Sequence, residues 1–580
     1  MKNSHRFSLV LFALLAIVVC GAVLPFRQVS VVSTSAQVSE PARLPIFRLA
    51  APVVNEETVR QQAQATLGIS GPISKLDSRL AIRSGSQLVD VNTRSGGIWA
   101  ADQAQMWNPR LKPSLPNSER ARGIADGFVK KNNLLPAVDK NQYYSVSFVS
   151  VGGTQAAFFD PASKKRSDRK LDVQVNYGVK MNIEGLHDVP LTGGGGEFNV
   201  TLGDQGKVIG YQGLWRPIEA VETESPVIPK EKADEQFKEM TKALELTSYS
   251  SSLAYYSAPP SVQQRYLYPV YVYRATAQYG KQRVPLRLIT IPATEFGPKL
   301  TQPAAVKPRP ANSTPTRRSL IPEAMKEKQS RPDRQNHAAF QSSWREAGSS
   351  YIGTSGGLSG SQNNAQGFVN NLSADGWSIN FLWGDANAWE SDWRRNNDQW
   401  VDAADFVFYT GHANMNGWVL SNPDDTFLDV SEVGPGPECP GDMWGQQDLE
   451  WVVIAACGPL QDDLISPGGG DVFRWAGAFD GLHQLLGYGA ITYDNEQEGA
   501  SLTQYAIAGD TLINSWFRAA REIQPSDNGA SPPDGPTVWV GVMYVGKAGA
   551  DPSGDHVWGH GSTSADPCGP TFYVAMWTTC

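Results

Sequence analysis

Two short stretches constrain this chain more than anything else in it. Asp405-Phe406-Val407-Phe408-Tyr409-Thr410-Gly411-His412 and Trp451-Val452-Val453-Ile454-Ala455-Ala456-Cys457-Gly458 are apolar runs that stop at a reactive side chain beside a glycine. Apolar residues without polar alternation predict strands buried on both faces, the habit of a mostly parallel sheet flanked by helices. If the two strands are parallel neighbours, His412 and Cys457 emerge at one carboxyl edge, where such sheets bind their ligands.

The rest of 344–580 fits that frame. Strands are predicted at Ser350–Thr354, Trp377–Trp383, Tyr488–Tyr493 and Thr537–Val545, with helices near Asn363–Leu372, Ala386–Asn396, Asp471–Leu486 and Ala500–Arg521. This segment holds 14 of the 17 tryptophans, which are expected to anchor core and loops rather than form a binding face.

A chain of 580 residues is too long for one core, and three further zones precede this one. Residues 1–36 place Lys2 and Arg6 before an apolar run from Phe7 to Phe26, followed by small residues. That order reads as a signal peptide or a signal anchor, so the remainder is expected outside the cytoplasm, secreted or in the cell envelope. Residues 48–297 read as an α+β module of helices and hairpins. Helices are expected after Asn55, after Asn117-Ser118 and over Pro229–Leu246. Val173, Val175, Tyr177, Val179, Met181 and Ile183 alternate at period two, as do Phe198, Val200 and Leu202 before a Gly203–Gly206 turn. Residues 298–343 are rich in Pro, Ser, Lys and Arg and predict an exposed linker that a protease could nick.

The chemistry at the strand ends is specific. A free thiol is little ionised at neutral pH, and the thiolate is the attacking species. His412 could pair with the Cys457 thiolate and protonate a leaving amine. Backbone amides near Ala413 and at Cys457 could bind an oxyanion, with Gly411 and Gly458 leaving room for a substrate backbone. Asp494, just past the fifth strand, is a candidate pocket residue for a basic substrate side chain.

These blocks resemble the cysteine-peptidase clan of caspases, legumain, gingipain and clostripain, whose strands end in His-Gly and in Ala-Cys or Gln-Cys. Ala456-Cys457 matches, whereas Ala413 replaces the usual glycine. The resemblance implies a caspase-like fold, a polypeptide substrate and no cofactor. A wider set, Trp389…Trp393, Gly411-His412, Ala456-Cys457, Phe479–Tyr488 and Trp516, resembles an uncharacterised domain-of-unknown-function family, number six-three-four-five. The 171–211 segment resembles PepSY and fungalysin-type propeptide modules, which implies that the N-terminal module acts as an intramolecular inhibitor or chaperone.

Other readings stay beside this one. A non-catalytic secreted or surface binding protein on a peptidase-like scaffold would carry the same residues. His556 and His560 are four apart, but Gly559, Gly561 and Pro552 favour a loop over a metal site. His483 is expected to pack within a helix, His187 to stand at the surface, and Asp424-Asp425 and Asp462-Asp463 to face solvent. In an exported protein Cys568 and Cys580 could pair and staple a short tail, or all the cysteines could stay reduced; the sequence leaves both open. A formal net charge of -8 excludes a non-specific nucleic-acid binder, which needs a basic face.

Overall fold

The computed structural model describes residues 41–137, 143–183, 185–298, 345–421, 425–434, 442–567 and 569–580. Residues 1–36, expected to be a signal peptide or anchor, nearly all of 298–343, expected to be a linker, Asp424, Cys439 and Cys568 lie outside these, and so does the expected Cys568–Cys580 pairing. No helix among the described residues is long and apolar enough to cross a membrane.

Residues 43–292 build a 15-stranded sheet. Its pairings are antiparallel except where Leu191 and Thr192 run parallel to Tyr255 and Tyr256. Three helices pack on it. The first, α1 (Glu56–Thr66), starts at a capping box in which Asn55 accepts from Thr58 N. The second, α2 (Ser118–Lys131), is capped by Asn117 accepting from Arg120 N. Both bury one stripe, Val59 and Ala63 from α1 and Ala121, Ala125 and Val129 from α2, against alternating strand residues such as Val175, Tyr177 and Val200. The third, α3 (Lys230–Met240), packs Ala233, Phe237 and Met240 against Tyr271 and Tyr273.

A second sheet has nine strands. In chain order they are β1 (Gln155–Asp160), β2 (Lys165–Lys170), β3 (Glu346–Tyr351), β4 (Ser378–Gly384), β5 (Phe406–Thr410), β6 (Trp451–Ala455), β7 (Gln484–Tyr488), β8 (Trp539–Gly546) and β9 (Phe572–Thr579). Their spatial order is β4-β3-β5-β6-β7-β8-β9-β1-β2. The β3/β4, β3/β5, β5/β6 and β6/β7 pairings are parallel. The β7/β8, β8/β9, β9/β1 and β1/β2 pairings are antiparallel. The protein is thus a mixed α/β molecule whose sheets are largely antiparallel. The expected mostly parallel sheet is corrected: parallel pairing stops at β7, and the hairpin β1–β2 comes from the N-terminal module.

Side chains alternate across this sheet. Phe406, Phe408, Trp451 and Val453 face three helices, α4 (Ser361–Ala374), α5 (Glu498–Ile507) and α6 (Leu512–Ile523). Phe368 of α4 lies 4.8 Å from the Phe406 ring and 5.1 Å from Phe408. Val407, Tyr409, Val452 and Ile454 face the other way, onto Trp393, Trp418, Trp444 and Trp475. Burial of both faces is why β5 and β6 carry no polar alternation. Most of the described tryptophans of this half are core, as expected; the Trp418 and Trp475 rings stack at 5.3 Å.

The two halves are sewn together. Trp107 meets Phe517 of α6 edge-on at 5.2 Å. Arg518 lies 3.2 Å from Asp90, and Arg166 on β2 reaches the buried Asp462 at 2.6 Å. Asp462 therefore does not face solvent as its sequence context suggested. Other expectations also shift. Ala386–Asn396 forms short 3-10 turns in place of a helix. Asp471–Leu486 forms a 3-10 helix over Val472–Ala478 and then enters β7. Ala500–Arg521 is two helices, interrupted at Gly509 and Asp510.

Candidate functional site

Strands β5 and β6 run parallel with Thr410 opposite Ala455. Two residues on, each chain leaves the sheet at His412 and at Cys457. The two therefore occupy equivalent offsets at one carboxyl edge. This edge lies beside β3, where the strand order doubles back from β4 to β5, the usual crevice of an open α/β sheet.

Both residues are fully buried. The His412 ring is held on two sides. Nε2 lies 2.8 Å from the Gly356 carbonyl and so donates to it, leaving Nδ1 to accept the Arg287 backbone N–H at 3.1 Å. Only glycine fits at 356, because a Cβ there would stand 2.7 Å from Ile352 and 3.2 Å from the imidazole. Asp385 shapes that turn, accepting from Gly353 N and from the Ser355 amide and hydroxyl. Burial lowers the imidazole to about 4; the Arg287 charge adds to this, against the Gly356 bond. His412 is neutral in this state.

Cys457 Sγ accepts from Thr492 N at 3.5 Å and lies 3.8 Å from the Thr492 hydroxyl. Burial pushes its thiol up to about 11, more than the Thr492 bonds and the Arg287 charge pull it down. Gly458 N–H is spent on the Ala490 carbonyl at 3.1 Å. Ala413 opens a two-residue strand paired with Trp418. At Gly411 a Cβ would meet the Tyr409 hydroxyl at 2.2 Å, so the glycine serves packing as well as access.

Arg287, from the N-terminal module, fills the space between the two strand ends. Its Nη1 donates to the Thr410 hydroxyl at 2.9 Å and to the Ala455 carbonyl at 2.7 Å. Nη2 donates to the Tyr493 carbonyl and to both Glu498 oxygens, at 3.1 and 3.3 Å. Arginine and glutamate are both fully buried. Burial alone would lower the guanidinium, but Glu498 and Asp494 hold it above its ordinary value. Asp494 accepts from Gly360 N at 2.8 Å, and burial lifts its carboxyl to about 6 against the pull of Arg287.

Sequence reasoning named His412, Cys457 and Asp494 but missed Arg287, Glu498, Thr492 and Gly356. Arg287 left one signal, a lone cation between Leu286 and Leu288, both buried. Glu498 reads as an ordinary first-turn acid of α5.

The other described histidines lie elsewhere. His483 Nδ1 is 2.6 Å from Asp555 and its Nε2 is 3.5 Å from Asp566. It precedes β7 and sits in no helix. His560 Nε2 pairs with Asp375 at 2.8 Å while His556 Nδ1 lies 3.2 Å from the Ser562 carbonyl. Asp405, Asp448 and Glu450 bring carboxylate oxygens within 4.8 Å of one another. They stand at the amino ends of β5 and β6, the opposite edge of the sheet.

The fold and this edge define a mixed α/β domain with a buried His/Cys pair, closed by a segment of its own chain. Residues 345–579 match the family model described as "Domain of unknown function (DUF6345)". No curated protein matches the chain. A crystal structure of an uncharacterized protein from Eubacterium rectale aligns over 45% of this chain and 87% of its own, at 8% identity and a TM-score of 0.26. So slight a likeness bears on neither fold nor function.

Proposed function

We propose that the C-terminal domain is a cysteine hydrolase of peptide bonds, held latent by the N-terminal module. The observation that carries this reading is the matched offset of His412 and Cys457 at adjacent parallel strand ends, with a peptide segment lying across them. In the working state His412 gives up the Arg287 N–H and takes the Cys457 proton. The thiolate attacks the scissile carbonyl carbon, and the imidazolium returns the proton to the amine as the C–N bond breaks. Water then hydrolyses the thioester to free acid and thiol. The caspase-like reading of the fold rests on the parallel half of the sheet, β4-β3-β5-β6-β7. A polypeptide partner and an extracytoplasmic location belong to the same proposal, the latter on the N-terminal sequence alone.

A second reading is favoured by the electrostatics. A neutral His412 and a thiol near 11 suit a non-catalytic binding protein on a peptidase-like scaffold. The test uses the full-length chain with Arg287→Ala, an acyloxymethyl-ketone probe set, and the same protein carrying Cys457→Ala or His412→Ala. Labelling of Cys457 that needs His412 is the expected result. A folded Arg287→Ala protein that no probe labels would remove the hydrolase and leave the binding protein.

A further inference from the structure

We infer that the pocket around Arg287 is a receptor for an arginine side chain of a polypeptide ligand, and that residues 286–288 occupy it as a tethered stand-in. The inference rests on the hydrolase reading for the reacting group, though not for the pocket.

Three sets of contacts support it. First, the pocket matches the flat fork of a guanidinium. Thr410 Oγ1 and the Ala455 carbonyl meet one terminal nitrogen, while Glu498 and the Tyr493 carbonyl meet the other. A lysine ammonium, a point charge on a flexible stem, cannot span both sides. Second, the main chain is held as an added strand holds a peptide. Leu288 forms a parallel bridge with Tyr493, its N–H donating to the Thr492 carbonyl and its carbonyl accepting from Asp494 N, at 2.8 and 3.0 Å. That is strand addition, in which backbone bonds hold the peptide and a side-chain pocket selects it. Third, the peptide crosses the candidate dyad. Arg287 N–H reaches His412, while the Leu288 side chain shares an apolar cluster with Cys457.

The stand-in is an imperfect occupant. Arg287 Nε is buried with no hydrogen-bond partner among the described residues. Its segment is anchored on both sides by the module itself, since Gln282–Pro285 and Ile289–Pro292 both pair with the Tyr266–Tyr279 strand. A free ligand would bear no such tether. Glu498 and Asp494 together then set the preference for a basic residue, with Glu498 as the direct partner and Asp494 placing the loop.

The experiment measures ligand-induced shifts of the thermal midpoint in the full-length protein. The probes are Nα-acetyl-arginine methylamide and its lysine and citrulline counterparts. Arg287→Ala empties the pocket. Arg287→Lys keeps a cation beside Glu498 and decides the matter if the alanine variant fails to fold. In both variants the arginine probe is expected to raise the midpoint at a concentration at least tenfold below the lysine probe. Citrulline should do nothing, and wild type should ignore all three. A folded variant indifferent to the arginine probe, or one that ranks citrulline equal to arginine, overturns the inference. Arginine binding without Cys457 labelling would instead overturn the hydrolase and leave the pocket standing.

Discussion

Glu498→Gln is the substitution whose cost follows most directly from the contacts. The carboxylate receives Arg287 Nη2, Asn364 Nδ2 at 3.0 Å, the Tyr488 hydroxyl at 2.6 Å and Gln524 Nε2 at 2.7 Å. The amide keeps the shape but loses the charge, and its NH2 turns to face groups that are themselves donors. Arg287 loses its direct ionic partner in a site with no exposure, with only the Asp494 charge left to offset it. Breaking a buried pair by removing one partner costs roughly 3–5 kcal/mol. Urea unfolding followed by tryptophan fluorescence reports on the right domain, because 14 of the 17 tryptophans lie beyond residue 343. Arg287→Met should lose a similar amount. The double variant should lose clearly less than the two singles together, by about 1 kcal/mol or more, since it leaves no charge stranded. A Glu498→Gln protein within about 1 kcal/mol of wild type, well short of the scale for a stranded buried charge, would show that Arg287 does not depend on this carboxylate. Strict additivity would refute the pair as a unit.

Three further outcomes are expected. Burial alone would lower the His483 imidazole, but Asp555 and Asp566 raise it to about 9, above the ordinary 6.5. A raised folded value stabilises fully below the ordinary value and fades as pH climbs through the folded one, so wild type should lose about 3 kcal/mol between those limits. His483→Gln should flatten that slope in melting curves from pH 6 to 10, and parallel curves would dismiss the assignment. Iodoacetamide at pH 7.5 should leave Cys457 unmodified in folded wild type and alkylate it in urea, by peptide mass spectrometry; rapid labelling of the native protein would contradict a thiol near 11. Arg166→Ala strands the buried Asp462 and should cost about 1–3 kcal/mol, with faster hydrogen exchange over β1 and β2; unchanged protection there would show that strand pairing alone holds the hairpin.

What the sequence made legible, and what it did not, has physical causes. β5 and β6 are readable because strands covered on both faces must be apolar throughout, and the reactive residues fall where those runs stop. β7 was hidden because Gln484-Leu485-Leu486-Gly487-Tyr488 carries good helix formers, and only pairing with β6 and β8 makes it a strand. β2, Lys165-Arg166-Ser167-Asp168-Arg169-Lys170, has no apolar face to announce it, since it is an outer edge strand. The closure of the site was out of reach for another reason. Arg287 and His412 are 125 residues apart, and no local pattern encodes that meeting.

The hairpin β1–β2 also bears on how the chain is made. It caps β9, yet the hairpin itself leaves the ribosome some four hundred residues before that strand. The sheet cannot be completed until β9 has emerged, and the early half must wait with a charged ribbon unmatched. A fragment cut to 344–580 would have no such ribbon. It would present Phe572–Thr579 as a bare apolar rim, a template for another copy's strand. Separating the halves would therefore trade a closed molecule for a self-associating one.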